Sequence, residues 1–414
     1  LHRRASAPAN RVDAQAEYEK LTVFNQLSLL PDDPILGLID VYLRDERSHK
    51  IDLGVGIYKD ADGNAPVMAA VKKAEAWLLA SQKTKAYTPT EGAPGFTEAL
   101  GALVFGSSTR QHNVQGVQTP GGTGAVRLAA EFARRAGVSN ILIGTPTWAI
   151  HQNIFASASV ATPGYPHLGA EGAFNLNALL AGMSALEPGE MVLLQASCHN
   201  PTGIDPTPEQ WNVILAQVKA QHLVPVFDLA YQGFGDGLAE DAQAVRVFAA
   251  QLPLVLVAVS CSKNFGLYRE RAGALFIAGS QAPRLAVIKS HLVDLARCIW
   301  SMPPAHGAEV VSLILHSEEL SSVWRQEVEA MRRRIVGLRT ALTDALTAQG
   351  VHQFTQLPLQ RGMFSNLDCA PALVQSLRNA HAVYAVGSGR LNVSGLSIAN
   401  VTVVAKALRD ALGV

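Results

Sequence analysis

Short apolar runs recur through the middle of the chain: ILIG (141–144), MVLLQA (191–196), LVPVFDLA (223–230), LVLVAVS (254–260) and ALFIA (274–278). Each is apolar at successive positions and rich in β-branched residues, so a strand formed there must be covered on both faces. Helical patterns fill the gaps. The alternation predicts an α/β fold with a mostly parallel central sheet and flanking helices. Two helices are legible. Pro66 suits a first turn, and Val67, Val71, Ala74 and Leu78 follow along one stripe. Farther on, Trp324, Val328, Met331, Ile335, Leu338 and Leu342 step by four and three, with Arg and Glu on the other faces. That pattern predicts a long amphipathic helix running between two domains. Beyond it the texture changes: GMFSNL, VYAV and RLNVS are short strands bracketed by helices, which predicts a smaller α/β domain. The expected division is a large domain over 66–330 and a small one built from 24–65 and 331–414.

Composition narrows the picture. A length of 414 residues suits two or three domains. Charged residues are only 16%, low for a monomer with much surface, which points to a sizeable subunit interface. Net charge is zero, so neither nucleic acid nor an anionic membrane surface is expected as a partner. The longest apolar run, Leu254 to Val259, is far too short to cross a bilayer. The cysteines Cys198, Cys261, Cys298 and Cys369 form no CxxC pair and have no metal-like spacing with histidine. They read as reduced thiols of a cytoplasmic protein. Residues 1–23 begin with a stretch dominated by Ala, Arg, Ser, Asn and Gln, without the apolar core of a signal peptide. They read as an N-terminal arm or a remnant of expression, with a trimmed presequence as the alternative.

The polar residues cluster after the strands. SCHNPTG (197–203) follows one run, Asp228 and AYQGFG another, and CSKNFGLYRERAG (261–273) a third. In open α/β sheets ligands bind at the carboxyl ends of strands, so Asn200, Asp228 and Lys263 are expected in one crevice. Lys263 lies among Ser260, Ser262 and Asn264, a small, polar setting suited to an amine that attacks a carbonyl. An isolated lysine is more often a surface residue, and Asp228 alone reads equally well as a cap at a strand end. TPGGTGAVRL is a Gly-rich turn opening a helix, whose free N–H groups suit a phosphate. It has neither the Lys of a P-loop nor the spacing of a dinucleotide site. Arg271, Arg297 and Arg390 stand out as candidate anion binders, Arg390 within the small residues of GSGRLNVSG. No metal motif and no GxSxG nucleophile elbow is present.

Taken together and in order, HNPTG, DLAYQGF, SKNFGLYRERAG, PPAHG and SGRLNVSG closely resemble the class I aminotransferases of the aspartate/aromatic amino acid subgroup, from about Phe24 to the C-terminus. The resemblance implies pyridoxal 5′-phosphate (PLP) fold type I and a homodimer with active sites shared at the interface. It implies Lys263 as the lysine that holds the cofactor as a Schiff base and carries the proton, and Asp228 as the partner of the ring nitrogen. Tyr231 and Asn200 match the donors to the phenolic oxygen. Gly122, Thr123, Ser260 and Arg271 match the phosphate cradle, with Tyr87 sent from the neighbouring subunit. Trp148 matches the indole stacked on the ring. Arg390 matches the binder of the substrate α-carboxylate, Arg297 the arginine offered across the interface to a distal carboxylate, and Gly56 a backbone position near the substrate.

The sequence departs from the family in places. Gln195 stands where the aspartate enzymes often carry His, in the shell beneath Asp228, while His151 of that shell is kept. Trp300 and Met302 stand in WSMPP, where Tyr and a small polar residue are usual. The expected reaction moves an amino group between an aromatic or dicarboxylic L-amino acid and a 2-oxo acid such as 2-oxoglutarate. The alternatives are a strict aspartate aminotransferase, a lyase or decarboxylase on the same fold, and a binding protein that has kept the fold without catalysis.

Overall fold

The structure is a computed structural model describing residues 27–29, 36–106, 113–354, 356–367 and 369–413. The segment 1–23, expected to be an arm or remnant, lies outside the described residues. Eleven strands are present among them. β1 is Ile51–Asp52, β2 Gln115–Pro120, β3 Ile141–Thr145, β4 Gly164–Pro166, β5 Met191–Gln195 and β6 Val224–Leu229. β7 is Val255–Ser260, β8 Ala272–Ala278, β9 Phe364–Asn366, β10 Val383–Tyr384 and β11 Arg390–Asn392. Seven of them form the central sheet in the order β2, β8, β7, β6, β5, β3, β4. All pairs are parallel except those of β8, which runs antiparallel to both β2 and β7.

The run of apolar residues in each central strand is explained by the two faces it serves. In β7, Val255, Val257 and Val259 join the larger core cluster, while Leu256 and Ala258 point into a second cluster on the opposite face. Ala125, Val126 and Ala129 of the helix Gly121–Arg135 cover that second face. A side chain at every position is therefore removed from water, which drives the burial of this sheet.

The helix expected to open near Pro66 begins at Ala69. Met68 is still extended, at φ −60° and ψ 144°. The Glu327 carboxylate accepts from the N–H groups of Ala69 and Ala70, at 2.6 and 3.1 Å. A side chain from a distant helix thus fixes the start, by satisfying two donors that a first turn leaves open. Val67 is exposed as a result, whereas Val71, Ala74 and Leu78 are buried as expected.

The long helix spans Glu318–Ala348 and buries Trp324, Val328, Met331, Ile335, Leu338 and Leu342. Trp324 stacks on Phe265 with ring centres 4.5 Å apart, and its indole N–H donates to the Asn264 carbonyl at 2.8 Å. Farther along the same helix, Arg334 donates to the carbonyls of Asp60 and Leu396, each at 2.9 Å. One rod therefore touches both the loop after β7 and the C-terminal part of the chain. There β10 pairs in parallel with β1, and β9 pairs antiparallel with β11. Asn392 adds side-chain bonds to the carbonyls of Val55 and Ile57, at 2.6 and 2.7 Å. Among the described residues no helix is long and apolar enough to cross a membrane.

Candidate active site

The carboxyl ends of β5, β6 and β7 open into one cavity. Its lining includes Gln195, Asn200, Asp228, Tyr231, Ser260 and Lys263. Gly122 and Thr123 from the start of the helix Gly121–Arg135 complete one wall together with Trp148 and Arg271. Ten of the thirteen residues singled out in the sequence therefore lie around one space, or directly against it when Arg390 is counted through its bond to Asn200.

Lys263 is half-buried in the turn after β7. Its Nζ lies 5.5 Å from the centre of the Tyr231 ring and 5.7 Å from that of Tyr268. Burial, aided by the nearby charge of Arg271, pushes its pKa down to about 8, and Asp228 opposes the shift. The amine is thus held near the point where an uncharged nucleophile is available. Asp228, the penultimate residue of β6, has its Oδ2 3.1 Å from His151 Nε2. His151 Nδ1 in turn meets the Thr147 hydroxyl at 2.8 Å. Trp148 stands edge-on to the His151 ring at 5.1 Å.

Asn200 joins two sides of the site. Its Nδ2 approaches the Tyr231 hydroxyl at 3.5 Å, and its Oδ1 accepts from Arg390 Nη1 at 3.2 Å. Burial raises the Tyr231 phenol above its ordinary pKa, so it stays a proton donor. Arg390 is buried on β11, donates through Nη2 to the Gly54 carbonyl at 2.9 Å, and lies 4.2 Å from the centre of the Phe364 ring. Its buried Nε has no hydrogen-bond partner. Gly56 sits beside the same ring: a Cβ built there would come within 3.1 Å of Phe364.

Tyr87 and Arg297 lie elsewhere. Tyr87 is 87% exposed. Arg297 is exposed near the end of the helix Ala282–Ile299, where it bonds Ser301 Oγ and approaches Met302 Sδ at 3.3 Å. Neither lines the cavity of its own chain.

The residues present fit PLP. Gly121 has φ +70°, and a Cβ there would lie 2.6 Å from Arg271 Nη2. A Cβ on Gly122 would lie 2.9 Å from Ser260 Cβ. Only glycines let a guanidinium and a hydroxyl close over the first turn of this helix, whose open N–H groups and dipole favour a phosphate. A carboxylate suited to a ring nitrogen and an amine suited to a carbonyl share the same cavity.

Some contributors were not singled out in the sequence. Ser262 lines the cavity, and its position inside SKNFG was an available signal. Tyr268 receives the Tyr58 N–H at 2.8 Å and faces Lys263; it stands in the same motif. Thr147 gave no signal, because only the fold brings it to His151 and Gln195. Gln195 pairs in register with Asp228 between β5 and β6, but its amide bonds are made elsewhere. It bonds the Asn200 backbone and Thr147 instead.

Comparison with known proteins agrees with this geometry. The family model of aminotransferase class I and II matches residues 48–408. The chain is 46% identical over 390 residues to an aromatic-amino-acid aminotransferase of Pseudomonas aeruginosa, covering 93% of this chain and 98% of that one. It is 40% identical over 392 residues to an aspartate aminotransferase of Escherichia coli, covering 93% and 99%. Among solved structures, an aromatic-amino-acid aminotransferase from Burkholderia pseudomallei, covalently bound to pyridoxal phosphate, superposes with a TM-score of 0.91 at 38% identity, over 94% of this chain and 99% of that one. With its fold and nearly its whole length in common with these proteins, the chain belongs to the class I and II aminotransferases.

Proposed function

We propose that this aminotransferase moves an amino group between an aromatic or dicarboxylic L-amino acid and a 2-oxo acid such as 2-oxoglutarate, on PLP held in the cavity at the ends of β5 to β7. The observation that carries the reading is the meeting of Lys263, Asp228, Tyr231 and Asn200 in one cavity, with Arg390 bonded to Asn200 at its edge. Both a relative acting on aromatic amino acids and one acting on aspartate support this substrate range.

Gly122, Thr123, Ser260 and Arg271 would hold the phosphate, Asp228 the ring nitrogen, Tyr231 and Asn200 the phenolic oxygen, and Trp148 the ring face. When bound, PLP supplies an electron sink for charge that develops at the substrate α-carbon. Arg390 would bind the substrate α-carboxylate and orient that carbon, with Gly56 leaving room beside Phe364. Lys263 Nζ would take the proton from the substrate α-carbon. Its depressed pKa suits a base that must gain and lose a proton near neutrality.

The proposal includes a homodimer. Tyr87 and Arg297 are exposed on their own chain, and the protein is poor in charge for a monomer. Each would reach the neighbouring subunit's cavity, Tyr87 toward the phosphate and Arg297 toward a distal substrate carboxylate. It also includes the division into a large domain, 66–330, and a small one, 24–65 with 331–414, supported by the pairing of β1 with β10. The thiols Cys198 and Cys261, buried and far from reactive, suit a cytoplasmic protein.

The test is kcat/KM for phenylalanine and for aspartate with 2-oxoglutarate, in wild type and Arg297→Leu. Loss of one charge-assisted contact, about 1.5–3 kcal/mol, should lower aspartate activity roughly 10- to 150-fold and leave phenylalanine activity largely intact. Wild-type discrimination against phenylalanine of about 10⁴ or more would replace the dual reading with a strict aspartate enzyme. Release of ammonia or carbon dioxide without a 2-oxo acid acceptor would replace transamination itself.

A further inference from the structure

We infer that Gln195 is a positioning residue that, through Thr147, supports the His151 tautomer whose Nε2–H engages one oxygen of Asp228. The inference rests on the reading of the cavity as a PLP site only for its functional meaning. The hydrogen-bond chain itself stands on this protein's own groups.

The chain of hydrogen bonds begins at the Asn200 backbone. Its N–H donates to Gln195 Oε1 at 2.8 Å, and its carbonyl accepts from Gln195 Nε2 at 3.0 Å. A backbone N–H can only donate and a carbonyl can only accept, so the orientation of the Gln195 amide is fixed by its partner. Gln195 and Asn200 are both buried, and reversing the amide would oppose donor to donor and acceptor to acceptor away from water.

With the amide fixed, its second N–H points at Thr147 Oγ1, 3.3 Å away. Thr147 accepts that bond, and among the described residues the acceptor within reach of its hydroxyl proton is His151 Nδ1 at 2.8 Å. Nδ1 then presents its lone pair, the arrangement that a carboxylate facing Nε2 also favours. The proton of a neutral imidazole therefore resides on Nε2, which donates to Asp228 Oδ2 at 3.1 Å. His151 is fully buried, so no water corrects a wrong arrangement. The opposite tautomer would set the Nε2 lone pair against the carboxylate.

Glutamine is suited to this task in a way the family's histidine is not. A neutral imidazole has one N–H and one lone pair. Gln195 supplies one acceptor and two donors to three partners at once. The Asn200 it holds also bonds Arg390, so the same amide ties the carboxylate-binding side of the cavity to the Asp228 side.

The experiment is ¹⁵N NMR of the apoprotein labelled at histidine, with His151→Asn to assign the signals. Wild type should show a protonated Nε2 and an unprotonated Nδ1. Gln195→Glu offers an acceptor where Thr147 now receives a donor. The Thr147 proton should turn to it and Nδ1 should become protonated. Gln195→Leu and Thr147→Val should each weaken the preference for Nε2–H, giving a larger Nδ1–H share than in wild type. A wild-type Nδ1–H would overturn the inference without any variant, as would an unchanged Nε2–H tautomer in all three. The measurement needs neither cofactor nor turnover. A protein with the expected tautomer and no transaminase activity would sink the proposed function and leave this inference standing.

Discussion

Replacing Arg390 by lysine separates the charge of this residue from its shape. A guanidinium carries five N–H groups in a planar fork. Two are spent on protein, one on the Gly54 carbonyl at 2.9 Å and one on Asn200 Oδ1 at 3.2 Å. Nε has no protein partner, so three N–H groups remain and two of them can grip a carboxylate. An ammonium has three N–H groups on one atom. Holding Gly54 and Asn200 would leave it one for the substrate. The variant thus forfeits one charge-assisted bond, about 1.5–3 kcal/mol, or roughly 10- to 150-fold in kcat/KM. Since the α-carboxylate is gripped equally before and during reaction, KM should carry most of the loss. Steady-state kinetics with aspartate and phenylalanine should show the same factor for both, because both have an α-carboxylate. A urea midpoint and the absorbance of the lysine-bound cofactor, measured alongside, separate misfolding from weakened binding. If kcat/KM falls by less than about threefold in a folded, cofactor-loaded variant, or if only one donor suffers, Arg390 is not the α-carboxylate site.

Two other outcomes follow from the same geometry. Apoprotein should capture PLP at a rate that rises with pH through about 8, and stability should rise between pH 8 and 10.5, since the unfolded lysine keeps a proton that folded Lys263 has released. Stopped-flow absorbance tests the first part: a flat profile, or one rising only near 10.5, refutes the shift, and borohydride should fix the cofactor to Lys263 and no other lysine. Inactive Lys263→Ala and aspartate-impaired Arg297→Ala chains, mixed and exchanged, should gain activity with aspartate above that of either parent, because the heterodimer contains one site with both defects and one intact; proven exchange without such a gain would exclude a shared site.

How far the sequence went depended on what buries each residue. β3, β5, β6, β7 and β8 were legible because apolar side chains fill both faces of the sheet there. β2, the sequence QGVQTP, was not. Its Gln118 is fully buried, yet the amide accepts from the Ala93 N–H and donates to the Pro304 carbonyl, both at 2.7 Å. A polar residue satisfied by backbone from distant segments leaves no periodic trace. The start of the helix Ala69–Ser81 was misplaced for a related reason: its cap is Glu327, far away in sequence. At the site, the strand-end rule placed Asn200, Asp228 and Lys263 together. Tyr87 came only from the family resemblance; Arg297 stood out as a candidate anion binder, but its place across an interface came from the resemblance alone. Gln195 was visible as a departure, but its three partners depend on the turn of the Asn200 loop.

The reversed strand β8 has a consequence for how the chain tolerates change in length. Ser260 of β7 pairs with Gly273 of β8, and Cys261 donates to the Ala272 carbonyl at 3.0 Å. Lys263 and Arg271 therefore belong to a single excursion, 262–271, whose two ends are clamped by one antiparallel ladder. The other connections leading into the cavity are long crossovers that can absorb an inserted residue over a helix or a surface turn. This one cannot, because Trp324 grips its middle at the Asn264 carbonyl and Arg271 closes its end on the Tyr268 carbonyl at 2.8 Å. The spacing between the amine and the guanidinium is thereby a fixed ruler between the carbonyl end and the phosphate end of a small ligand. One residue more or less would change the length of molecule that both can hold, while leaving the rest of the sheet intact.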